Sequence, residues 1–447
     1  MANSRKSRFN LVERVADTLA SIVPHGSSLS LGLSGGVDSV VLLHLLAQLS
    51  PRFSWRISAL HVHHGISAHA DSWAAFCSEL CAKYSIPLQV ERVDITLLRD
   101  MGIEAAARQL RHAALARQKV DFIALAHHRD DQAETLLLQL LRGAGVRGAS
   151  AMPVLKPRKI APSLLRPLLD ITRSELEAYA CEQGLRWVED DSNEDVSYPR
   201  NYLRHRVLPV LAQRFPAYRS TLSRSASHFA EAAELLDELA AQDAESAIQG
   251  DRLSVAALHL LSHARGKNLL RYFLAKCGAP IPDSTRLAEM LRQLREAGEG
   301  AQIRIAWQDW QLRCYREHAY VLPVTLPAVD FSIVWQGEPE IILPASHGVL
   351  RFESVMGQGL SLHKLQQCMV TVRSRHGSEH IKLEAGRPRQ SLRNLLPQQG
   401  VPPWQRELLP LLYCGDELVL VPGVADAASY AAQAGEEGVL VSWHYST

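Results

Sequence analysis

The hydrophobic pattern of the first 145 residues alternates between short and long apolar segments. The short segments predict strands at 28–33, 56–62, 87–93 and 120–126. The longer segments predict helices at 37–49, 69–84, 104–118 and 131–142. Strands and helices that alternate in this order form a parallel sheet with helices on both faces. Ligands bind such sheets at the carboxyl ends of the strands, and three of these ends carry polar clusters.

The pattern changes after this region. It predicts loops over 146–210 with one helix at 172–183, and then helices from 217 to about 297, of which a long one spans 217–245. Strands are predicted at 301–322 and a linker at 323–330. The remaining residues, 331–447, are predicted to form short strands with a helix near 389–397. The predicted fold is a Rossmann-like α/β domain with a parallel sheet at 1–214, a mainly helical domain at 215–325 and a small α+β C-terminal domain at 326–447.

Composition adds charge segregation and a predicted compartment. The 48 Lys and Arg nearly balance 47 Asp and Glu, but residues 225–265 are mainly acidic and residues 370–406 mainly basic. The seven cysteines are scattered without a Cys-x-x-Cys pair, which argues against a disulfide framework. The first ten residues lack the apolar core of a signal peptide, and no apolar run is long enough to span a membrane. We therefore expect a cytoplasmic protein.

A glycine-rich loop lies between the first predicted strand and helix. Its sequence is Ser34-Gly35-Gly36-Val37-Asp38-Ser39. Adjacent glycines let backbone N–H groups converge, and the helix N-terminus adds partial positive charge, so the loop can hold phosphate oxygens. A carboxylate at Asp38 suggests a Mg²⁺ ion that bridges protein and nucleotide. An ordinary strand–helix turn would also contain glycines.

The loop is neither a Walker loop, which needs a lysine, nor the three-glycine dinucleotide fingerprint. It resembles the PP-loop of the ATP pyrophosphatase superfamily. That resemblance implies that ATP is cut between its α and β phosphates and that a carbonyl oxygen is adenylated.

A second polar segment follows the fourth predicted strand and reads His127-His128-Arg129-Asp130-Asp131-Gln132-Ala133-Glu134-Thr135. It has the composition of a transition-metal site, but the spacing of a helical zinc site is absent, and a solvated loop that caps a helix remains an alternative. The segment resembles a signature of the tRNA(Ile)-lysidine synthetase family. The resemblance implies that Asp38 and Asp131 are catalytic and hold Mg²⁺, and that ATP contacts the 34–39 loop, His61 and His127.

Other segments resemble the same family. They are His61-Val62-His63-His64-Gly65, where the family usually has Asn in place of His63, Glu104-Ala105-Ala106-Ala107-Arg108-Gln109-Leu110-Arg111, Arg166-Pro167-Leu168-Leu169, Asp191-Ser192-Asn193, and the stretch from Arg200 to Pro209. The resemblance implies an acceptor pocket of Glu104, Arg108, Arg111 and His128, although helical spacing alone would also fit a surface ion-pair ladder.

Arginines supply the predicted RNA contacts. Guanidinium groups hold phosphates and stack on bases, so Arg200, Arg204 and Arg206 suit RNA binding, with a solvated face as the alternative. Residues 217–322 and 370–430 resemble the family's helical and C-terminal domains, which adds Arg373, Arg375 and Arg393 to the tRNA-binding set. The chain departs from the family at Ser378, often a glycine, and at Arg393-Asn394, often a lysine pair.

The resemblance implies one reaction. ATP, lysine and an isoleucine tRNA with a CAU anticodon would give lysidine at the wobble cytidine, AMP and pyrophosphate, which changes decoding from AUG to AUA. A homodimer is expected at the family level. There are three rival functions. A tRNA 2-thiolation enzyme would need catalytic or cluster-ligating cysteines, and the absence of Cys-x-x-Cys argues against it; a glutamine-dependent amide-forming enzyme would need a glutaminase domain, and none is apparent. The third is a non-enzymatic RNA-binding protein.

Overall fold

The structure is a computed structural model. It describes residues 11–65, 67, 69–95, 102–158, 160–189, 194–298, 303–324, 327–384 and 388–445. The chain divides into two compact units, Met1–Leu235 and Leu236–Thr447. The Asp191-Ser192-Asn193 match lies outside the described residues. The boundaries of the three predicted domains stay a prediction.

The first unit is an α/β unit. Its strands are β1 (Ser28–Gly32), β2 (Arg56–His63), β3 (Leu88–Arg92), β4 (Phe122–Ala124), β5 (Leu155–Lys156) and β6 (Ser163–Leu165). Its helices are α1 (Leu11–Ala20), α2 (Val37–Phe53), α3 (Ala70–Lys83), α4 (Ile103–Ala116), α5 (Arg129–Leu141), α6 (Val146–Ala149), α7 (Arg173–Glu182), α8 (Pro199–Tyr202) and α9 (Leu208–Arg214), with a π-helical turn at Leu203–Val207. The long helix α10 (Tyr218–Ala247) contains the boundary between the units.

The sheet of this unit has the strand order β3-β2-β1-β4-β6-β5. All neighbouring pairs are parallel except β5 and β6. Leu29 and Leu31 of β1 are buried, and so is most of α2, because this strand and helix lie at the centre of the unit. Strands β2 and β3 lie on one side of β1, and β4 lies on the other. The crevice between β1 and β4 is therefore the switch point at which such sheets bind ligands.

The predicted Rossmann-like sheet is confirmed, with its first four strands and helices. The prediction of loops over 146–210 is wrong in part. Ser163–Leu165 extends the parallel sheet beside β4, and Leu155–Lys156 closes its edge as an antiparallel strand. These strands are only two and three residues long, and the prolines around them hid them from the hydrophobic pattern.

The second unit contains helices and antiparallel sheets. Its helices are α11 (Val255–Leu260), α12 (His263–Lys276), α13 (Ser284–Glu296), α14 (Leu362–Leu365), α15 (Leu392–Gln398) and α16 (Pro403–Arg406), with a 3-10 turn at Ala428–Tyr430. Its strands are β7 (Ile248–Gln249), β8 (Arg252–Ser254), β9 (Arg304–Trp307), β10 (Trp310–Tyr315), β11 (His318–Pro323), β12 (Ser332–Val334), β13 (Glu340–Ile342), β14 (Val349–Met356), β15 (Leu360–Ser361), β16 (Val370–Arg373), β17 (His380–Ile381), β18 (Gln390–Ser391), β19 (Leu411–Cys414), β20 (Glu417–Val421), β21 (Ala425–Asp426) and β22 (Glu437–His444).

The strands of the second unit form separate sheets. One sheet has the order β7-β8-β11-β10-β9. The C-terminal part contains sheets with the orders β12-β16-β19-β20-β21 and β13-β14-β22-β15, and β17 pairs with β18. Cys368 and Cys414 are paired as a disulfide, with Cα atoms 5.7 Å apart. The sequence argued against a disulfide framework and did not predict this pair, which β-strand pairing brings together from distant positions in the sequence. Within the described ranges, no helix is long and apolar enough to cross a membrane.

Candidate active site

The 34–39 loop joins β1 to α2 at the carboxyl edge of the sheet. Gly35 has a φ of +91°, and a Cβ added there would lie 2.8 Å from Cγ2 of Val188. Only glycine fits this backbone without strain. The Ser39 hydroxyl accepts a hydrogen bond from the Gly35 amide at 3.1 Å and donates to the Gly36 carbonyl at 2.9 Å. The first turn of α2 thus holds the loop in place, and amides at a helix N-terminus can bind a phosphate.

Asp38 projects from the first turn of α2 and is engaged on one side only. Its Oδ2 accepts a hydrogen bond from Nη1 of Arg173 at 2.6 Å and lies 3.8 Å from Nε2 of His128. Its Oδ1 is buried and has no hydrogen-bond partner among the described residues. Burial raises the pKa of this carboxyl, against the opposing effect of His128 and Arg173. The open, buried oxygen is suited to a cation.

Asp131 approaches the same imidazole nitrogen as Asp38. Its Oδ2 accepts a hydrogen bond from the His128 amide at 2.9 Å, as an N-terminal cap of α5, and lies 3.5 Å from His128 Nε2. Its Oδ1 accepts from Nη2 of Arg200 at 2.9 Å. Burial acts to raise the pKa of Asp131, but His128 and Arg200 outweigh it and lower the pKa to about 2. Asp131 is therefore a fixed negative charge.

Glu134, one helical turn further along α5, is 1% exposed and binds two arginines. Its carboxylate accepts from Nε of Arg200 at 2.7 Å, and from Nε and Nη2 of Arg204 at 2.6 and 2.9 Å. Burial acts to lower the pKa of Arg204, but the Glu134 hydrogen bond raises it overall. The two arginines and the two carboxylates, Asp131 and Glu134, form a network at the carboxyl edge of the sheet.

His61, at the end of β2, supports the loop from the neighbouring strand. Its Nδ1 donates to the Leu33 carbonyl at 2.9 Å, directly before Ser34, and lies 3.6 Å from Sγ of Cys77. Burial lowers the pKa of His61, so the ring is neutral at pH 7. His63 contacts Asp71 instead, with 3.2 Å between Nε2 and Oδ1.

Several cations lie near Arg108 of α4. Arg166 is 7% exposed, and burial, then Arg108, lower its pKa to about 10. Burial, together with these arginines, holds the pKa of His127 at about 3 and that of His112 at about 4. Positive charge is therefore concentrated beside the His127 end of β4, where it would favour an anion. The Glu104 side chain lies outside the described residues.

Taken together, the edge of the sheet presents a phosphate loop, one carboxylate with an open oxygen, and arginines on two sides. This arrangement can bind a nucleotide polyphosphate and stabilise negative charge that leaves with it.

Comparison with known proteins agrees with this geometry. Residues 8–211 match the PP-loop domain model, residues 253–320 the TilS substrate binding domain and residues 370–443 the TilS substrate C-terminal domain. The tRNA(Ile)-lysidine synthase of Nitrosomonas europaea is 44% identical, over 100% of this chain and 98% of its own length. That of Azoarcus sp. is 41% identical, over 95% and 93%.

The chain belongs to the tRNA(Ile)-lysidine synthase family. The PP-loop prediction is thereby confirmed, and the chain has the ATP-binding domain of that family. In this lysidine synthase family member, the structure brings Asp38, His61, His128 and Asp131 to one edge of the sheet. Their individual roles stay predictions.

The predicted tRNA-binding arginines fall into different surroundings in this family member. Arg200 and Arg204 lie inside the carboxylate network, whereas Arg206 is exposed. In the second unit, Arg375 is 15% exposed and lies 3.6 Å from Glu379, whereas Arg393 is exposed on α15. The remaining residue, Arg373, donates hydrogen bonds from Nε to the Thr371 hydroxyl at 2.9 Å and from Nη2 to the Gly415 carbonyl at 2.8 Å. Arg206 and Arg393 are thus the members whose side chains are most open to a partner.

The sequence did not single out Arg173, and it included Asp130 only as a member of the 127–135 segment. Arg173 follows the N-cap of α7 and reaches Asp38, whereas Oδ2 of Asp130 accepts from the Arg173 amide at 3.0 Å. The capping box formed by Thr172 and Glu175 signals where α7 begins. Nothing in the sequence signals that this helix end faces α2.

The cysteines do not favour a thiolation site. Burial raises the pKa of Cys77 to about 12 and that of Cys81 to about 11, so neither is a ready thiolate. Over the described ranges, no group of three or more His, Cys, Asp or Glu side chains has the arrangement of a metal site.

Proposed function

We propose that this protein ligates lysine to C2 of the wobble cytidine in an isoleucine tRNA with a CAU anticodon, and consumes ATP to AMP and pyrophosphate. The observation that carries the proposal is the position of the Ser34–Ser39 loop beside Asp38, Asp131 and the Arg200–Arg204 network at one sheet edge. Family membership over the whole chain supports the same reaction.

The residues suggest how the first step proceeds. The C2 oxygen of cytidine is a poor leaving group, and transfer of AMP onto it makes it a good one. The amides at the start of α2 would hold the phosphates, and Arg173 would balance their charge as pyrophosphate leaves. The PP-loop thus stabilises charge that develops during the reaction.

A Mg²⁺ ion fits part of the predicted site. Asp38 offers a buried Oδ1 without a hydrogen-bond partner among the described residues, whereas both oxygens of Asp131 already accept hydrogen bonds. Asp38 would therefore be the principal ligand, and Asp131 would join it if Arg200 moved away. The ion would neutralise phosphate charge when bound.

In the second step the lysine amine displaces AMP from the base. An amine with an ordinary pKa near 10.4 must first lose a proton. Asp131, with a pKa of about 2, is a weak proton acceptor and is better suited to attract the ammonium group. Glu134 is the remaining candidate base, and it would have to exchange an arginine for the substrate.

Exposed cations such as Arg206 and Arg393 would contact tRNA phosphates, which fix the register of the RNA. A homodimer and a cytoplasmic location belong to the same proposal.

Incubation with tRNA transcripts, ATP and radiolabelled lysine tests the proposal. We expect label in the CAU isoleucine transcript, with one AMP released per lysine incorporated. No label should enter a transcript in which uridine replaces the wobble cytidine. Asp38→Ala should abolish pyrophosphate release and leave tRNA binding nearly intact. Asp121→Asn is the matched control, because Asp121 accepts a hydrogen bond from the Ser28 amide at the opposite end of the same sheet. Transfer of sulfur or ammonia in place of lysine would refute the reaction, and full turnover by Asp38→Ala would refute its role.

A further inference from the structure

The second unit has hydrophobic cores on either side of a contact made of rings and arginines. One core lies among α11–α13 and the sheet around β10, with Phe273 and Leu312 at its centre. The others lie among the C-terminal sheets, around Leu350 and Leu411. The first cluster shares no described member with either of the other two, so the two regions are not joined by a common core. We call them the helical region (residues 248–323) and the C-terminal region (residues 331–445).

Trp404 in α16 is the centre of the contact between these regions. Its indole ring is edge-on to Tyr320 of β11, with centroids 5.3 Å apart, and to Tyr315 of β10, with centroids 6.3 Å apart. The guanidinium carbon of Arg313 lies 5.3 Å from the centre of the indole. Edge-to-face rings and a cation above an indole attract each other at these separations.

Arginine hydrogen bonds reinforce the rings. Arg406 donates from Nη2 to the Tyr315 hydroxyl at 2.9 Å and from Nε to the Val401 carbonyl at 2.7 Å. One planar guanidinium thus connects a β10 side chain to the backbone of the C-terminal region. Arg316 of the helical region donates in the other direction, to the carbonyl of Pro397.

We infer that Trp404, Tyr315, Tyr320, Arg313 and Arg406, the Trp404 clamp, hold the helical and C-terminal regions in one arrangement and so position both to bind the same RNA molecule. The inference rests on the proposed function for the identity of that RNA as tRNA. The clamp residues are positioning residues, because they contact one another.

The physical reason is effective concentration. Two surfaces that bind one ligand strengthen each other only when their spacing lets both engage at once. A fixed spacing also removes the cost of ordering the two regions during binding. Loss of the clamp should therefore weaken tRNA binding without any change in the ATP site.

Trp404→Leu tests the clamp, because leucine stays apolar but removes the ring. We expect the KM for tRNA to rise by about tenfold, as the linked surfaces lose part of their mutual enhancement. The KM values for ATP and lysine and the kcat at saturating tRNA should not change. Small-angle X-ray scattering of the free protein should show a larger radius of gyration. Arg406→Gln, which removes the Tyr315 bond, should change the same quantities in the same direction.

Trp404→Phe is the conservative variant. The indole Nε1 is buried and has no hydrogen-bond partner among the residues that the structure describes, so the ring matters and the nitrogen does not. We expect Trp404→Phe to retain the wild-type KM for tRNA. Arg351→Gln is the control for Arg406→Gln, because Arg351 is an exposed arginine of the same region that pairs with Glu340.

The results separate the clamp from the proposed reaction. A Trp404→Leu protein with native circular dichroism and an unchanged KM for tRNA would overturn the inference, and so would a Trp404→Phe protein as defective as Trp404→Leu. If the wild type incorporates no lysine, the proposed reaction fails, and scattering still tests the clamp because it needs no substrate. An unchanged radius of gyration in both Trp404→Leu and Arg406→Gln would then overturn it.

Discussion

Gly35→Ala should destabilise the first unit for two separable reasons. The backbone at Gly35 has a φ of +91°, in the left-handed half of conformational space, where a residue with a Cβ is strained. The added Cβ would also lie 2.8 Å from Cγ2 of Val188, well inside the normal contact distance of about 3.5–4.0 Å. Both effects act directly on the loop that we propose to hold ATP.

The size of each effect can be estimated. The backbone strain costs about 1–2 kcal/mol. The steric contact costs roughly 1–3 kcal/mol, depending on how far Val188 can move. Together the free energy of unfolding should fall by roughly 2–5 kcal/mol. For a domain of this size, even the lower bound shifts Tm by about 4 °C.

Urea denaturation and calorimetric ATP titration would measure the change. Val188→Ala combined with Gly35→Ala should recover the steric part and leave the backbone part, so rescue should be partial. Gly36→Ala is the matched control for stability, because Gly36 has a φ of −70° and its added Cβ would lie 3.6 Å from Ser34 Oγ, an ordinary contact. Its unfolding free energy should stay within about 0.5 kcal/mol of the wild type.

The reasoning fails if Gly35→Ala unfolds at the same urea concentration as the wild type, because the loop would then have a different conformation. Complete rescue by Val188→Ala would show that the positive φ carries no strain. Loss of stability in Gly36→Ala equal to that of Gly35→Ala would show that the whole loop, and not this one backbone angle, is intolerant of a Cβ.

Two further predictions concern charge. Burial holds the pKa of His64 and His112 at about 4 and that of His127 at about 3, whereas unfolded histidines titrate near 6.5. Below pH 6.5 the unfolded chain therefore binds protons that the folded chain does not. The free energy of unfolding should decrease as pH falls from 6.5 to 4, by up to about 1.4 kcal/mol per pH unit per histidine. Urea denaturation at pH 7 and 5 measures this, and equal values would contradict it. Arg393→Gln should reduce the slope of log affinity for tRNA against log salt by about one, because Arg393 is exposed. Arg375→Gln should lower Tm and leave that slope nearly unchanged, because Arg375 is only 15% exposed and lies beside Glu379; equal slopes for both variants would contradict the distinction.

Much of the first unit was predictable from sequence because its strands and helices have strong periodicity. The strand at 28–33 alternates leucine with serine or glycine, and the helix at 37–49 is mainly apolar and mostly buried, so their place at the centre of the sheet follows from burial. Ser163–Leu165 was missed because three residues between prolines carry no period. Its place in the sheet is decided by pairing with β4, a long-range contact that no local pattern encodes.

The candidate site shows the same division. Asp38 was identified as a carboxylate within the glycine-rich loop, and Asp131 because its segment resembles the family's signature. Their partners were not predictable in the same way. Arg200 and Arg204 were assigned to RNA on charge alone, but both reach Glu134, which is buried on α5. A side chain's partner depends on tertiary packing, and charge in the sequence does not specify it.

These partners bear on how substrates would enter the site. Asp38 holds Arg173 at 2.6 Å, and Asp131 and Glu134 hold Arg200 and Arg204, so the site's carboxylates are already neutralised by arginines of the protein itself. Phosphate groups compete with carboxylates for guanidinium because both accept bidentate hydrogen bonds. On the proposed function, ATP would attract Arg173 and leave Asp38 with two open oxygens for a cation. The ammonium group of lysine would likewise replace an arginine at Asp131 or Glu134. Internal ion pairs of this kind keep buried carboxylates charged before substrates arrive, and exchange of partners would couple binding of each substrate to assembly of the site.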